Sequence, residues 1–300
     1  MSSGVRRGLA KVAQRLGLRK PKPQYAQIGK YRIRLPLHSQ LLFYRSGFPI
    51  YDTALGQIAA VLGAKYPALH AIDIGANVGD TCALIRQRAE ISVLCVEGDP
   101  ILLPILTENM GQFGPGVAME PSFVGPEEQT VNLTLADDLG RNASLIGAIG
   151  SEGSVKLRSL NAILADHPAF RHAKLLKIDT EGFDFDIIKQ SMEFVRQSRP
   201  AIFFEYDPHF RPNEPRAGLE TMEALIRAGY SDFLYYDNFG HFLLHTDASN
   251  FRIFADLDNY LASNRKYGTA VYYFDVCALH QEDSDLVPEI KSRTQSLSSP

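Results

Sequence analysis

Two kinds of apolar pattern run along the chain. Residues 4–17 place Val5, Leu9, Val12 and Leu16 at the spacing of one helical face, with Arg7, Lys11 and Arg15 on the other side. This predicts an amphipathic helix. Lys20-Pro21-Lys22-Pro23 would end it and serve as a linker, because proline cannot continue a helix and restricts the residue before it. The alternation of Tyr31-Arg32-Ile33-Arg34-Leu35 predicts a short strand, and Ala54, Ile58 and Val61 mark the inner face of a helix over 51–64.

From residue 70 the pattern changes. Apolar runs at 70–74, 92–97, 174–178 and 201–204 read as buried strands, and 79–88, 99–110, 183–195 and 217–228 read as helices between them. This alternation predicts an α/β fold with a mostly parallel sheet and helices on both faces. Residues 112–172 are less regular, with strand-like pieces such as Thr130-Val131-Asn132-Leu133. Further strands are expected at Phe233–Tyr236 and Thr269–Phe274, and periodicity fades after about residue 283. The expected organisation is a basic arm and linker over 1–23, one α/β domain over 24–282 and a loose tail over 283–300.

Charge sharpens this division. The net charge of −3 conceals an asymmetry: residues 1–34 carry ten lysines and arginines and no acid, so the remainder stands at −13. A basic arm on an acidic body suits reversible contact with an anionic membrane through residues 1–20. No apolar run is long enough for a transmembrane helix, and residues 1–20 lack the continuous apolar stretch of an export signal. The three cysteines, Cys82, Cys95 and Cys277, have no paired short spacing, which argues against a disulfide framework or a zinc site. The expected location is the cytoplasm, peripheral at the inner membrane surface.

The chemistry gathers where apolar strands end. His70-Ala71-Ile72-Asp73-Ile74-Gly75-Ala76-Asn77-Val78-Gly79 is a strand running into a glycine turn and then a helix. Glycines there let backbone approach a ligand, and the helix start offers unpaired amides. A second strand ends at Glu97-Gly98-Asp99. A carboxylate at that place in a parallel α/β fold hydrogen-bonds ribose hydroxyls. A dinucleotide fingerprint would need glycine where Asn77 stands, and Asp73 would repel a pyrophosphate yet suits an ammonium group. The reading is therefore S-adenosylmethionine, held by Asp73, Gly75, Asn77, Gly79, Glu97 and Gly98. A side chain at Gly75 is expected to block the cofactor and leave the sheet folded.

The third strand delivers Asp179-Thr180-Glu181-Gly182, and the fourth delivers Glu205-Tyr206-Asp207-Pro208-His209. Asp179, Glu181 and Glu205 are the expected catalytic acids, able to orient or deprotonate a hydroxyl. His209 is a further candidate, while Asp184 and Asp186 read as complements to the dipole of the helix they open. Nothing in the spacing demands a metal ion.

Together these segments resemble the FkbM-type methyltransferase family. The matching residues are Ile72–Gly79, Val96-Glu97-Gly98-Asp99-Pro100 with Asn109 downstream, and Leu176–Gly182, with the strand ending at Glu205 also fitting. The resemblance implies a class I methyltransferase (Rossmann-like) fold with a seven-stranded sheet, and methyl transfer, usually to a hydroxyl on a sugar, glycan, glycolipid or polyketide. It departs at Gly98, where the family usually has proline, and at Asp184, where it often has glutamate. The expected partner is a small-molecule or glycan acceptor rather than nucleic acid. The rivals are a nicotinamide-dependent oxidoreductase, against which Asn77 speaks, and a non-catalytic cofactor-binding scaffold, against which the acids Asp179, Glu181 and Glu205 speak.

Overall fold

The computed structural model describes residues 22–37, 39–125, 130–134, 144–145, 154–180, 182–267 and 270–296. The helix expected over 4–17 and the acid Glu181 lie outside the described residues.

The chain opens with an antiparallel hairpin, β1 (Gln24–Ile28) and β2 (Tyr31–Leu35). Helices Leu41–Gly47 and Thr53–Lys65 lead to the central sheet. Its strands are β3 (His70–Ile74), β4 (Ser92–Val96), β5 (Val117–Glu120), β9 (Leu175–Ile178), β10 (Ala201–Tyr206), β11 (Tyr230–Asp237), β12 (Phe242–Asp247) and β13 (Phe274–His280). The spatial order is β12-β11-β13-β10-β9-β3-β4-β5. Strands β5, β4, β3, β9 and β10 are parallel, and β13 pairs antiparallel with both β10 and β11. The short strands β6 (Thr130–Thr134), β7 (Ser144–Leu145) and β8 (Ser154–Lys156) form a separate small sheet within the region read as irregular.

Pleat alternation divides the core in two. Ala71, Val93, Cys95 and Leu175 face the hairpin and the helices Thr53–Lys65, Asp80–Arg86 and Val287–Gln295. Ile72, Leu94, Leu176 and Ile178 face the helices Leu160–Asp166, Asp184–Gln190, Met192–Ser198 and Ala217–Arg227. Because both faces are covered, the interiors of these strands are apolar apart from the buried Asp73 of β3 and Lys177 of β9.

Three expectations change. The sheet has eight strands rather than seven, because β12 adds an antiparallel edge beside β11. The final strand begins at Phe274 rather than Thr269: Val276, Cys277, Ala278 and Leu279 are the buried part. The tail does not simply fray after 283. Val287, Ile290 and Thr294 lie on one helical stripe and are buried against the helix Thr53–Lys65. That stripe is only three residues long, too short to stand out in a polar sequence.

Candidate active site

Reading from β5, the parallel strands run in the order third, second, first, fourth, fifth, so the strand order reverses between β3 and β9. Open α/β sheets bind ligands at that point, beyond the strands' carboxyl ends. A cleft of about 640 Å³, open to solvent, lies there. The turn after β3 contributes Gly75 and Asn77, the end of β4 contributes Glu97 and Gly98, and the segment after β9 contributes Asp179 and Phe183.

The first turn is fixed by the second strand. Glu97 is buried, and its Oε2 accepts the Asn77 amide at 2.8 Å while its Oε1 accepts that of Asp99 at 2.8 Å. Burial pushes the Glu97 carboxyl above its ordinary range, against the lowering effect of those amides. Each oxygen retains a lone pair for a diol. Gly75 has φ 73°, and a β-carbon there would stand 1.8 Å from the Asp179 carbonyl oxygen. The expectation that a side chain at Gly75 would disturb only the cofactor is therefore corrected: it would also force β3 and β9 apart. Gly98 has its own reason, since a β-carbon would meet the Phe123 ring at 2.3 Å. Phe123, on the same cleft wall, occupies the space a proline ring would need.

Two expected cofactor residues do not line the cleft. Gly79 has φ 84° at the start of the helix Asp80–Arg86 and lies against Leu106 and Phe113. Asp73 is fully buried beneath the turn; Thr81 donates to its Oδ2 at 2.5 Å, and Lys177 Nζ stands 3.3 Å from its Oδ1.

Lys177 was not singled out by the sequence reading, although a lysine inside Leu175-Leu176-Lys177-Ile178 is itself a signal. It sits directly across from Asp73 in the β3–β9 register. Its ammonium donates to the Gly75 carbonyl at 2.9 Å and lies 3.4 Å from Asp179 Oδ2. Burial opposes its charge, but Asp73, Asp179 and Asp80 outweigh burial and hold Lys177 above the usual lysine range. The buried cation thus ties the glycine turn to the acid at the cleft wall.

Among the described residues, Asp179 is the expected catalytic acid that reaches the cleft, with its side chain 49% exposed. Glu205 instead lines a small adjoining cavity with Asp184 and Asp207. The Asp184 Oδ2 accepts from the Thr180 amide and hydroxyl at 3.2 and 3.0 Å, and its Oδ1 has no hydrogen-bond partner among the described residues. Burial and the charge of Asp179 push Asp184 up to about 7. His209 turns Nδ1 to Asp207 Oδ1 at 2.8 Å and does not line the cleft. Sequence reading also missed Asp52 and Asp275. Desolvation and the charges of Asp80 and Asp179 push Asp52 up to about 8, and desolvation and Asp52 raise Asp275 well above the carboxylate range. No group of three or more His, Cys, Asp or Glu among the described residues is arranged to hold a metal ion.

No curated protein matches the chain. Solved structures similar to it include an FkbM methyltransferase from Methylobacillus flagellatus, 17% identical over 56% of this chain and 40% of that one, with a TM-score of 0.39. This chain thus spans less than half the length of that protein. An S-adenosylmethionine-dependent methyltransferase from Agrobacterium tumefaciens is 7% identical over 87% and 71% of the two chains, with a TM-score of 0.45. A fibrillarin pre-rRNA processing protein from Methanococcus jannaschii is 11% identical over 86% and 83%, with a TM-score of 0.40. The model of the methyltransferase FkbM domain matches residues 73–231, from the buried acid near the end of β3 to the start of β11. The glycine turn, Glu97 and the cleft-wall carboxylate all fall within that span, and the chain belongs to the FkbM methyltransferase family, with a class I methyltransferase fold.

Proposed function

We propose that this chain methylates a hydroxyl oxygen on a sugar, glycan, glycolipid or polyketide, with S-adenosylmethionine as methyl donor. The observation that carries this reading is Asp179, a half-exposed carboxylate on the cleft wall beside Gly75, steadied by a buried lysine. The residues fit the donor: Glu97 presents acceptor oxygens for a ribose diol, and Gly75 and Gly98 leave backbone bare where a ligand approaches. When bound, the donor's sulfonium supplies the methyl group and leaves as a neutral thioether.

The chain's own residues supply positioning and a proton acceptor. A hydroxyl is a weak nucleophile at neutral pH, and a carboxylate within hydrogen-bond reach can take its proton as the new C–O bond forms. Lys177 holds one Asp179 oxygen, leaving the other for the acceptor. Holding both reactants in line supplies much of the remaining acceleration.

The test is transfer of labelled methyl from S-adenosylmethionine to a cell-envelope extract. Asp179→Asn keeps shape and removes charge, so turnover is expected to fall by about 10²–10⁴-fold with donor affinity nearly intact. Near-normal turnover in this variant would remove Asp179 as the base. Absence of any transfer by the parent protein, with donor binding retained, would favour the scaffold reading.

A further inference from the structure

Large apolar side chains left in water gather on one side of this molecule. Ile101 follows β4, and Phe210 follows β10 and packs on Gly182. Tyr272 precedes β13, whose first residue pairs with Tyr206 at the end of β10. Leu243 stands at the start of β12, opposite the end of β11. All four are therefore at the carboxyl end of the sheet, the end on which the cleft opens, spread from Ile101 beside β4 to Leu243 on the far edge strand β12. Phe43, 69% exposed, belongs to the helix Leu41–Gly47, which has no buried residue. The Phe48 ring just beyond that helix packs at 4.2 Å on Phe239, in the turn between β11 and β12, so this helix is on the same rim.

The basic end of the chain joins the fold there too. Gln24 pairs with Leu35 and donates to the Leu37 carbonyl at 2.8 Å. Asn109 bridges the end of β2 to the turn after β3, with bonds to the Arg34 and Val78 carbonyls at 2.9 and 2.8 Å. Residues 1–22, which lead into this point, carry seven lysines and arginines and no acid. The acids Asp99, Asp184 and Asp207 are buried below the rim, while Asp179 is half-exposed within the cleft.

We propose that the carboxyl rim is a docking surface for an anionic lipid bilayer, which presents the acceptor hydroxyl to the cleft. Apolar side chains spread singly over a surface are ordinary. A set of them along one end of the sheet, the end that carries the cleft, joined by a basic segment, matches the two contributions that hold a protein at a lipid interface: shallow apolar insertion and attraction to anionic headgroups. The surface narrows the acceptor to a lipid-borne hydroxyl. That narrowing rests on the methyltransferase reading, whereas the surface is tested without donor or turnover.

The experiment sediments the full chain with vesicles of mixed phosphatidylcholine and phosphatidylglycerol, and with phosphatidylcholine alone. The paired variant Leu42→Ser with Phe43→Ser removes two exposed side chains of the rim helix; Ile101→Ser probes another part of the rim. Thermal melting of each variant checks that it folds as the parent does. Binding to the mixed vesicles is expected, weaker on phosphatidylcholine alone and at high salt. The paired variant is expected to partition about tenfold less, and Ile101→Ser less than the parent. No vesicle binding by the full chain overturns the proposal. Equal partitioning of parent and folded variants overturns it as well, since attachment would then run through the basic segment without the rim. Failure of methyl transfer alongside rim-dependent vesicle binding would count against the methyltransferase reading and leave the surface standing.

Discussion

Glu97 is placed to serve both the architecture of the turn and the proposed donor site. Its two oxygens already hold the Asn77 and Asp99 amides, so removing it loosens the glycine turn as well as taking away the proposed ribose acceptor. Glu97→Ala is expected to weaken S-adenosylmethionine binding by about 1.5–3 kcal/mol, the range of hydrogen bonds to a charged group. Glu97→Gln, which retains an acceptor oxygen, should lose less. Isothermal titration measures both, and unchanged affinity in the alanine variant would remove Glu97 from the donor site. The sequence made Glu97, Gly75 and Asp179 legible because a strand followed by glycine or acid is a local pattern. It placed Asp73 at the end of the right strand without showing that its carboxylate turns inward to Lys177.

At the scale of elements, the β3–β9 contact governs the site. The two strands are about one hundred residues apart in sequence but pair in register, and the Asp179 amide donates to the Ile74 carbonyl at 3.1 Å. Gly75 is what lets them close. Gly75→Ala would combine a positive φ with a clash against backbone that cannot rotate away, and is expected to cost at least about 1–3 kcal/mol of stability. Scanning calorimetry should therefore show a lower Tm even without donor. An unchanged Tm with lost donor binding would restore the simpler view that the glycine only makes room for the cofactor. The helices read at 79–88, 99–110 and 217–228 agree with the structure to within a few residues, the one read over 183–195 is broken at Ser191, and the helix Leu160–Asp166 falls in a stretch read as irregular. The edge strand β12 was missed because half-buried strands beside a turn carry a weaker pattern than core strands.

For the molecule as a whole, crowding acids at the carboxyl ends of the strands has a consequence for pH. Asp184 has an ordinary value of 3.8 and stands at about 7 in the folded protein, with desolvation the larger cause and Asp179 the next. Between those values the folded state keeps a proton that the unfolded state has released. Stability therefore falls as pH rises from about 4 to 7, and the penalty is fully present above 7. Asp80, pushed up to about 6, and Asp52, pushed up to about 8, act in the same direction. Asp184→Asn removes the ionisation while keeping an acceptor for Thr180. It is expected to melt higher than the parent at pH 8, by an amount on the order of 2–4 kcal/mol in stability, with little gain at pH 4. Melting curves across that range check it. A gain independent of pH would mean that Asp184 is not held protonated in the folded protein.

The sequence by itself determined the class of fold, the two turns that frame the cleft and the family, because each depends on residues close together along the chain. A run of apolar residues specifies a buried strand, and a glycine or acid at its end is read in the same few positions. Only the tertiary structure decided which acids share a site. It put Asp73 and Lys177 face to face across two strands, brought Asp52 and Asp275 toward Asp179 from outside the family's span, and moved Glu205 off the cleft wall. Electrostatic coupling falls off with distance in space rather than along the chain. Strand order and helix packing set those distances, and neither is written in any one segment.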